Sequence, residues 1–203
     1  LFFVVISFLC LIFSFVISDF SNETVFNNSH TTKPLFYKIS GTWGNHEGSL
    51  LLWLLVLTFF IFIFLARTKN QPVKYKILTL VFQQIIIVGF FLFLIKTSNP
   101  FNYIFPTPTE GLGLNPILQD PALAIHPPIL YLGYVGSSII FSSVLAATSL
   151  KIISTSWASH IKKWILISWI FLTLGILLGS IWAYYELGWG GFWFWDPVEN
   201  VSL

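Results

Sequence analysis

Long apolar stretches separated by polar segments dominate the chain. Each stretch has about enough residues to cross a hydrocarbon core of ~30 Å as a helix that rises ~1.5 Å per residue. Their repetition predicts an all-α, polytopic integral membrane helical bundle with about five transmembrane helices, because helices satisfy their own backbone hydrogen bonds in lipid. The predicted spans are residues 1–18, 49–66, 77–95, 125–150 and 164–184.

Charged residues sort by sign between alternating loops. Segments 67–76 and 151–163 contain lysine and arginine but no acid, whereas all acidic residues lie in or beside the other three loops. The positive-inside rule then places the two basic segments on the cytoplasmic or matrix side. We therefore expect a single membrane domain over 1–203, with its N-terminus inside. Its outer loops are 19–48, 97–124 and 185–203, and together they form a ligand-handling surface.

Composition narrows the functions that the chain can perform alone. Mean hydropathy is +0.81 and charged residues make up 9%, which indicates a membrane protein. The single cysteine, Cys10, allows no intrachain disulfide, and no Cys-x-x-Cys is present. Glycine-rich phosphate loops, zinc-type His/Cys clusters and glycosidase-like carboxylate pairs are also missing from the sequence. We expect no nucleic-acid partner.

The densest aromatic segment follows the last apolar stretch, at residues 189–200. It reads Trp-Gly-Gly-Phe-Trp-Phe-Trp-Asp-Pro-Val-Glu-Asn. Aromatic rings stack on flat conjugated ligands such as a porphyrin, and paired glycines allow close approach. An aromatic belt at the membrane interface is the alternative interpretation. The candidate ligand-binding residues are Trp189, Gly190, Gly191, Phe192, Trp193, Phe194, Trp195, Asp196, Pro197, Glu199 and Asn200.

His126 is followed directly by Pro127 and Pro128. Because proline suits the first turn of a helix, this spacing predicts that His126 lies about at the cap of the fourth span, at its outer end. A rigid imidazole there, open to water on one side, suits an axial ligand of haem iron. The alternative is an interfacial histidine bonded to a carbonyl.

A third motif, residues 41–49, reads Gly-Thr-Trp-Gly-Asn-His-Glu-Gly-Ser and precedes the second span. Trp43, His46 and Glu47 are possible supports that orient a ligand. Alternatively, the motif only caps the helix, through Ser49. The two remaining histidines, His30 and His160, lie in polar and basic segments, where we expect them to be solvated.

From about residue 35 onward these motifs, in this order, resemble the CcmF family of cytochrome c maturation proteins. The run 189–200 is similar to the tryptophan-rich WWD signature of haem-handling membrane proteins. Segments 41–49 and 114–128 resemble two further family motifs. Phe192 stands where the family usually has tryptophan, and another aromatic ring keeps the stacking surface.

The resemblance implies a function as part of a cytochrome c haem lyase of the holocytochrome c synthase type. In that function a haem chaperone delivers b-type haem, which is the substrate, to the WWD segment. The resemblance implies that His126 is the first of two external histidines that ligate its iron. Cysteine thiols of apocytochrome c then add to the haem vinyl groups and form thioethers.

The second external histidine and the histidines within spans that the resemblance implies do not occur in this sequence. We therefore expect the chain to be the N-terminal part of the lyase, active only with a second polypeptide that carries the remaining spans and histidines. The resemblance implies a mitochondrial location, because split forms of the family occur in mitochondria, and the composition agrees with an organellar genome. We therefore expect the mitochondrial inner membrane, with the outer loops in the intermembrane space; a bacterial inner membrane with a periplasmic face is the alternative. A non-catalytic subunit that binds or exports haem, or a structural subunit of a respiratory assembly, remains open.

Overall fold

The computed structural model describes residues 1–188 and residue 201, and every regular element among them is helical. This confirms the all-α prediction. Among the described residues, four helical segments are long and apolar enough to cross a membrane: α4, α5, α6 continued by α7, and α8. The helices are α1 (Phe2–Ile17), α2 (Glu23–Asn28), α3 (Leu35–Gly41), α4 (His46–Arg67), α5 (Val73–Thr97), α6 (Pro121–Tyr134), α7 (Ser137–Ser149) and α8 (Thr155–Glu186).

The first predicted span is a shorter helix than the other four. Helix α1 has 16 residues, which corresponds to about 24 Å at the helical rise. It ends at Ile17, and the capping residue Ser18 has a left-handed conformation, with its amide donating to the carbonyl of Phe15. Leu11 and Phe15 are fully buried within the described part of the chain, so one face of α1 belongs to the core.

Two of the predicted segments differ in detail from the structure. Residues 151–163 are not a loop throughout, because α8 begins at Thr155, where the Ser154 side chain accepts a hydrogen bond from the Trp157 amide. The predicted span 125–150 is confirmed as one candidate span, Pro121–Ser149, but it consists of two helices, α6 and α7, with a break at Val135 and Gly136. A Cβ on Gly136 would collide with the Leu132 carbonyl and with the Phe60 ring. Glycine at 136 therefore lets Phe60 of α4 approach the chain closely.

Helices α6 and α8 pack antiparallel with their backbones in close contact. A Cβ on Gly175 of α8 would lie 2.6 Å from the Leu130 Cα of α6, and a Cβ on Gly133 of α6 would collide with the backbone of Leu172. The Ser168 hydroxyl also donates to the Gly133 carbonyl at 2.8 Å. Small residues and interhelical hydrogen bonds are the usual means by which helices associate in lipid.

A buried polar network joins α5 to α7. The Gln83 amide donates to the Ser138 hydroxyl at 2.8 Å and accepts from the Ser142 hydroxyl at 2.8 Å. Nearer the start of α5, the Tyr75 hydroxyl bonds the Ser143 hydroxyl. Gln83 and Tyr75 are both fully buried. Such pairs hold helices together because an unsatisfied polar group in hydrocarbon is costly.

The loops 19–48 and 97–124 form an ordered layer at one end of the bundle, called here the outer end. The Asn22 side chain caps α2 and also donates to the Pro100 carbonyl at 2.9 Å. Backbone bonds from Glu23 to Asn102 (2.9 Å) and from Leu112 to Phe26 (2.8 Å) continue the connection. The two loops therefore fold as one unit. The opposite end, with segments 67–76 and 151–163, is called the basic end.

Two charged side chains of the outer layer have shifted pKa values. Hydrogen bonds from Thr31, above all from its hydroxyl, lower the pKa of Glu110 to about 2. Burial, assisted by the charge of Lys38, lowers the pKa of Lys33 to about 8. The Lys33 ammonium donates to the Asn28 carbonyl at 3.1 Å. Both groups tie neighbouring loop segments together.

Candidate functional site

Helix α6 begins one and a half turns before His126, so the prediction that His126 lies at the cap is wrong. The Asp120 side chain accepts from the Leu123 amide at 2.9 Å, and Pro121 occupies the first turn. An aspartate cap followed by proline is a stronger start signal than the later pair of prolines. His126 therefore lies about 9 Å along the helix from Asp120. Its side chain is partly buried.

The prolines at 127 and 128 lie inside α6 without ending it. Proline has no amide hydrogen, so Pro128 leaves the Ala124 carbonyl without its usual partner in the helix. The indole nitrogen of Trp43 donates to that carbonyl at 2.8 Å. Trp43 also stacks on Phe8 of α1, with 6.4 Å between ring centroids. Motif 41–49 is thereby attached to α6 at its proline pair.

A cavity of about 320 Å³ lies where these segments meet at the outer end. It brings together two of the motifs that the sequence singles out, residues 41–49 and 114–128, which are far apart in the chain. Its lining residues include Trp43, Asn45, His46, Leu114, Leu118, Ala124, Pro127 and Tyr131. The convergence of both motifs on one cavity is the clearest sign of a shared site in the described part of the chain.

His46 is the first residue of α4 and is exposed. Its Nε2 lies 2.9 Å from the Ser98 hydroxyl. Asn45, not Ser49, caps the helix: the Asn45 side chain accepts from the Gly48 amide at 2.7 Å, and the Ser49 hydroxyl donates to the His46 carbonyl. Glu47 lies in the first turn of α4, where a negative charge interacts favourably with the helix dipole.

The His126 side chain faces α8 rather than the cavity. Its Nδ1 lies 2.6 Å from the carbonyl oxygen of Gly175. A carbonyl oxygen only accepts, so Nδ1 carries a proton and, in the neutral ring, Nε2 holds the lone pair. A Cβ on Gly179 would lie 2.7 Å from the His126 Cε1, so glycine at 179 provides the space that the ring occupies.

The arrangement of α6 thus separates two groups of candidate residues. Ala124, Pro127 and Tyr131 line the cavity beside Trp43 and His46. His126 and Leu130 contact glycines of α8 on another face of the same helix. The structure brings Trp43 and His46 together and places His126 in a separate cleft between α6 and α8.

The aromatic segment 189–200 lies outside the described residues, so its predicted contacts with a ligand stay a prediction. Helix α8 ends at Glu186, about 10 Å along the helix from Gly179. The cleft that holds His126 is therefore near the end of α8 from which the chain continues to Trp189.

Sequence reasoning missed the contribution of α8 to the site. Gly175 and Gly179 form a Gly-x-x-x-Gly pair in an apolar helix, a known signal of close helix packing. The expectation that His160 is solvated is also wrong. His160 is partly buried in α8, and its Nε2 is buried without a hydrogen-bond partner in the described structure.

The structure is that of a polytopic helical membrane protein with a candidate site at one membrane face. Its features are several apolar helical spans, an ordered layer at one end and a histidine held between two spans. The family profile described as "Cytochrome C assembly protein" matches residues 43–203. The chain belongs to this family.

Curated relatives resemble the chain over nearly its whole length. "Cytochrome c-type biogenesis protein CycK" of Rhizobium meliloti (strain 1021) is 55% identical over 200 residues, which cover 98% of this chain and 30% of the relative. "Cytochrome c-type biogenesis protein CcmF" of Escherichia coli (strain K12) is 48% identical over 198 residues, or 97% of this chain and 31% of the relative. The chain thus spans about a third of the length of these relatives.

A solved structure has the same fold over this region. This protein, "Cytochrome c Heme Lyase CcmF", is 32% identical to the chain, with a TM-score of 0.78. The match covers 98% of this chain and 31% of that protein. The resemblance to CcmF that the three motifs indicate is therefore confirmed.

Proposed function

We propose that this chain is part of a cytochrome c haem lyase and holds haem, its substrate, at the outer end. His126 supplies one axial ligand to the iron through Nε2. The aromatic platform, residues 189–200, stacks on the macrocycle. The observation that carries the proposal is the hydrogen bond from His126 Nδ1 to the Gly175 carbonyl, at 2.6 Å. Iron-ligating histidines commonly donate their other nitrogen to a carbonyl in this way.

The reaction requires that haem and apocytochrome c be held together, and it requires no net oxidation of either. A cysteine thiol adds across the double bond of a haem vinyl group. The sulfur forms a bond to one vinyl carbon and the thiol hydrogen forms a bond to the other, so the addition needs no oxidant or reductant. The residues of this chain fix the haem so that its vinyl groups meet the thiols, which is catalysis by orientation. Trp43, His46 and Glu47 support the site by positioning α4 and the outer loops against α6.

The complete lyase needs more than this chain. The resemblance implies a second haem, bound within the membrane by histidines of the spans and distinct from the substrate haem. Those histidines and the second external histidine come from further spans, whether of the same polypeptide or of a second one. A haem chaperone and apocytochrome c dock on the outer end, which faces the intermembrane space of mitochondria or the bacterial periplasm. The positive-inside distribution of lysine and arginine supports that orientation.

The proposal is tested by expressing His126→Ala and Trp193→Ala variants in cells that lack this protein and measuring whether they restore its function. Both variants should lose covalently attached haem on c-type cytochromes, because each lacks one side of the haem site. His30→Ala serves as a matched control, since His30 lies in the outer layer away from α8. Free imidazole added to a His126→Gly variant should restore part of the activity if the ring acts as a ligand.

The same experiment separates the lyase from a structural or haem-exporting subunit. Normal holocytochrome c in His126→Ala, accompanied by loss of the assembled complex, would contradict the lyase proposal and favour the structural function. Membrane levels of each variant are measured alongside haem attachment, so that loss of the protein is not mistaken for loss of the ligand.

A further inference from the structure

A second and larger cavity lies toward the basic end of the bundle, away from His126. It has a volume of about 550 Å³ and is bounded by α4, α6 and α8. Its walls are apolar and largely aromatic, with Phe59, Phe60, Ile63, Ile167 and Phe171 among the lining residues. It shares no lining residue with the outer cavity.

Basic groups stand at one edge of this cavity. Arg67 ends α4, and His160 and Lys163 lie in the first turns of α8. Arg67 and Lys163 are exposed, and neither forms an ion pair in the described part of the chain. The His160 Nε2 is buried and has no hydrogen-bond partner among the described residues. The segments 67–76 and 151–163 contain no acid that could neutralise them.

We propose that this cavity binds an anionic phospholipid. Its phosphate lies among Arg67, His160 and Lys163, and an acyl chain lies along the aromatic wall. An apolar pocket with a basic edge matches an amphipathic ligand with a negative head, and basic pockets between spans on the inner side of a membrane are known to recognise such headgroups. A free phosphate ion would leave the aromatic wall empty. The proposal is independent of the haem site.

The proposal is tested by measuring how much lipid the protein retains. The protein is purified in its native assembly and placed in nanodiscs. The double variant Arg67→Gln/Lys163→Gln should retain about tenfold less phosphatidylglycerol or cardiolipin by native mass spectrometry, because two charges that contact the phosphate are gone. The matched control is Lys69→Gln/Lys162→Gln, which removes equal charge from the same segments but from residues that do not line the cavity. The control should retain as much lipid as the unchanged protein.

Two further measurements distinguish a lipid from other occupants. Ile167→Trp fills the cavity without changing its charge, so it should also lower retention of the anionic lipid. Phosphatidylcholine should be retained weakly by every variant, and inorganic phosphate should not displace the lipid. Equal losses in both double variants, equal retention of phosphatidylcholine by the unchanged protein, displacement by phosphate, or no effect of Ile167→Trp would each overturn the proposal.

Discussion

At the scale of residues, the environment of His126 determines what its imidazole can do. The Gly175 carbonyl selects the tautomer with the proton on Nδ1, and the missing side chain at 179 leaves space for the ring. Neither effect involves a charged partner. The imidazole is thus oriented by the backbone of a neighbouring span, and small changes in that backbone should move it.

Gly179→Ala tests this dependence. The added methyl group would lie 2.7 Å from the His126 Cε1, so the ring or the helix must shift. We expect haem attachment to fall by about tenfold to a hundredfold, as misplacement of a positioned group commonly costs. The spectrum of bound haem should change as the axial ligand weakens. Both are measured in the complete lyase.

Gly89→Ala is the matched control for that variant. Gly89 is also a glycine within a span, but a Cβ there would meet no atom within 4 Å. Haem attachment should be unchanged. An equal loss in both variants would show that alanine disturbs the membrane helices in general and that Gly179 does not position His126.

At the scale of elements, glycines and buried hydroxyls determine which helices pair. Helices α6 and α8 meet through Gly133 and Gly175, whereas α5 and α7 meet through Gln83 and the serines of α7. Lipid tails are as apolar as leucine side chains, so hydrophobicity alone does not choose between partners in a membrane. The close contacts and hydrogen bonds supply that choice.

Gln83→Leu should weaken the packing of α5 on α7. It removes two hydrogen bonds and leaves the Ser138 and Ser142 hydroxyls without that partner, at a cost of about 1–2 kcal/mol in the free energy of unfolding. Unfolding in mixed micelles measures the change. The adjacent Gln84 is exposed, so Gln84→Leu should change stability by less than about 0.5 kcal/mol. Similar losses in the two variants would contradict an interhelical function of Gln83.

At the scale of the whole molecule, the outer layer is one folded unit built from two distant loops. Glu110 of the second loop accepts from the Thr31 amide at 3.0 Å and from the Thr31 hydroxyl at 2.5 Å in the first. The pKa of Glu110 is lowered to about 2, so the carboxylate is favoured in the folded layer. Its contribution is complete above the ordinary pKa of 4.5 and is lost as pH falls toward 2.

Glu110→Gln should therefore loosen the outer layer at pH 5 and have little effect at pH 2. The rate of pepsin cleavage within residues 98–120 measures the change. We expect faster cleavage of the variant at pH 5 and equal rates near pH 2. The exposed Glu23 gives a control, Glu23→Gln, that keeps the contact between the loops. A difference between Glu110→Gln and the unchanged protein that stays constant with pH would contradict the assignment.

Much of this architecture could be predicted from the sequence, because hydropathy reports directly which segments enter lipid. The four spans after the first are confirmed, and the motifs around His46 and His126 indicated the family correctly. Hydropathy does not report where a helix ends in water, so the start of α8 at Thr155 was missed. Nor does it report which face of α6 contacts which neighbouring helix. The sequence therefore could not predict that His126 lies apart from the cavity that Trp43 lines.

The hydrogen bond from Trp43 to the Ala124 carbonyl couples Trp43 to Pro128, two positions that are far apart in the sequence. The indole is valuable there because Pro128 cannot supply an amide hydrogen. If Pro128 were alanine, the amide of residue 128 would donate to the Ala124 carbonyl. Trp43→Phe would then have little effect on the packing of motif 41–49 against α6. The two sites should therefore show epistasis, and homologues that lose one of these residues should tend to lose the other.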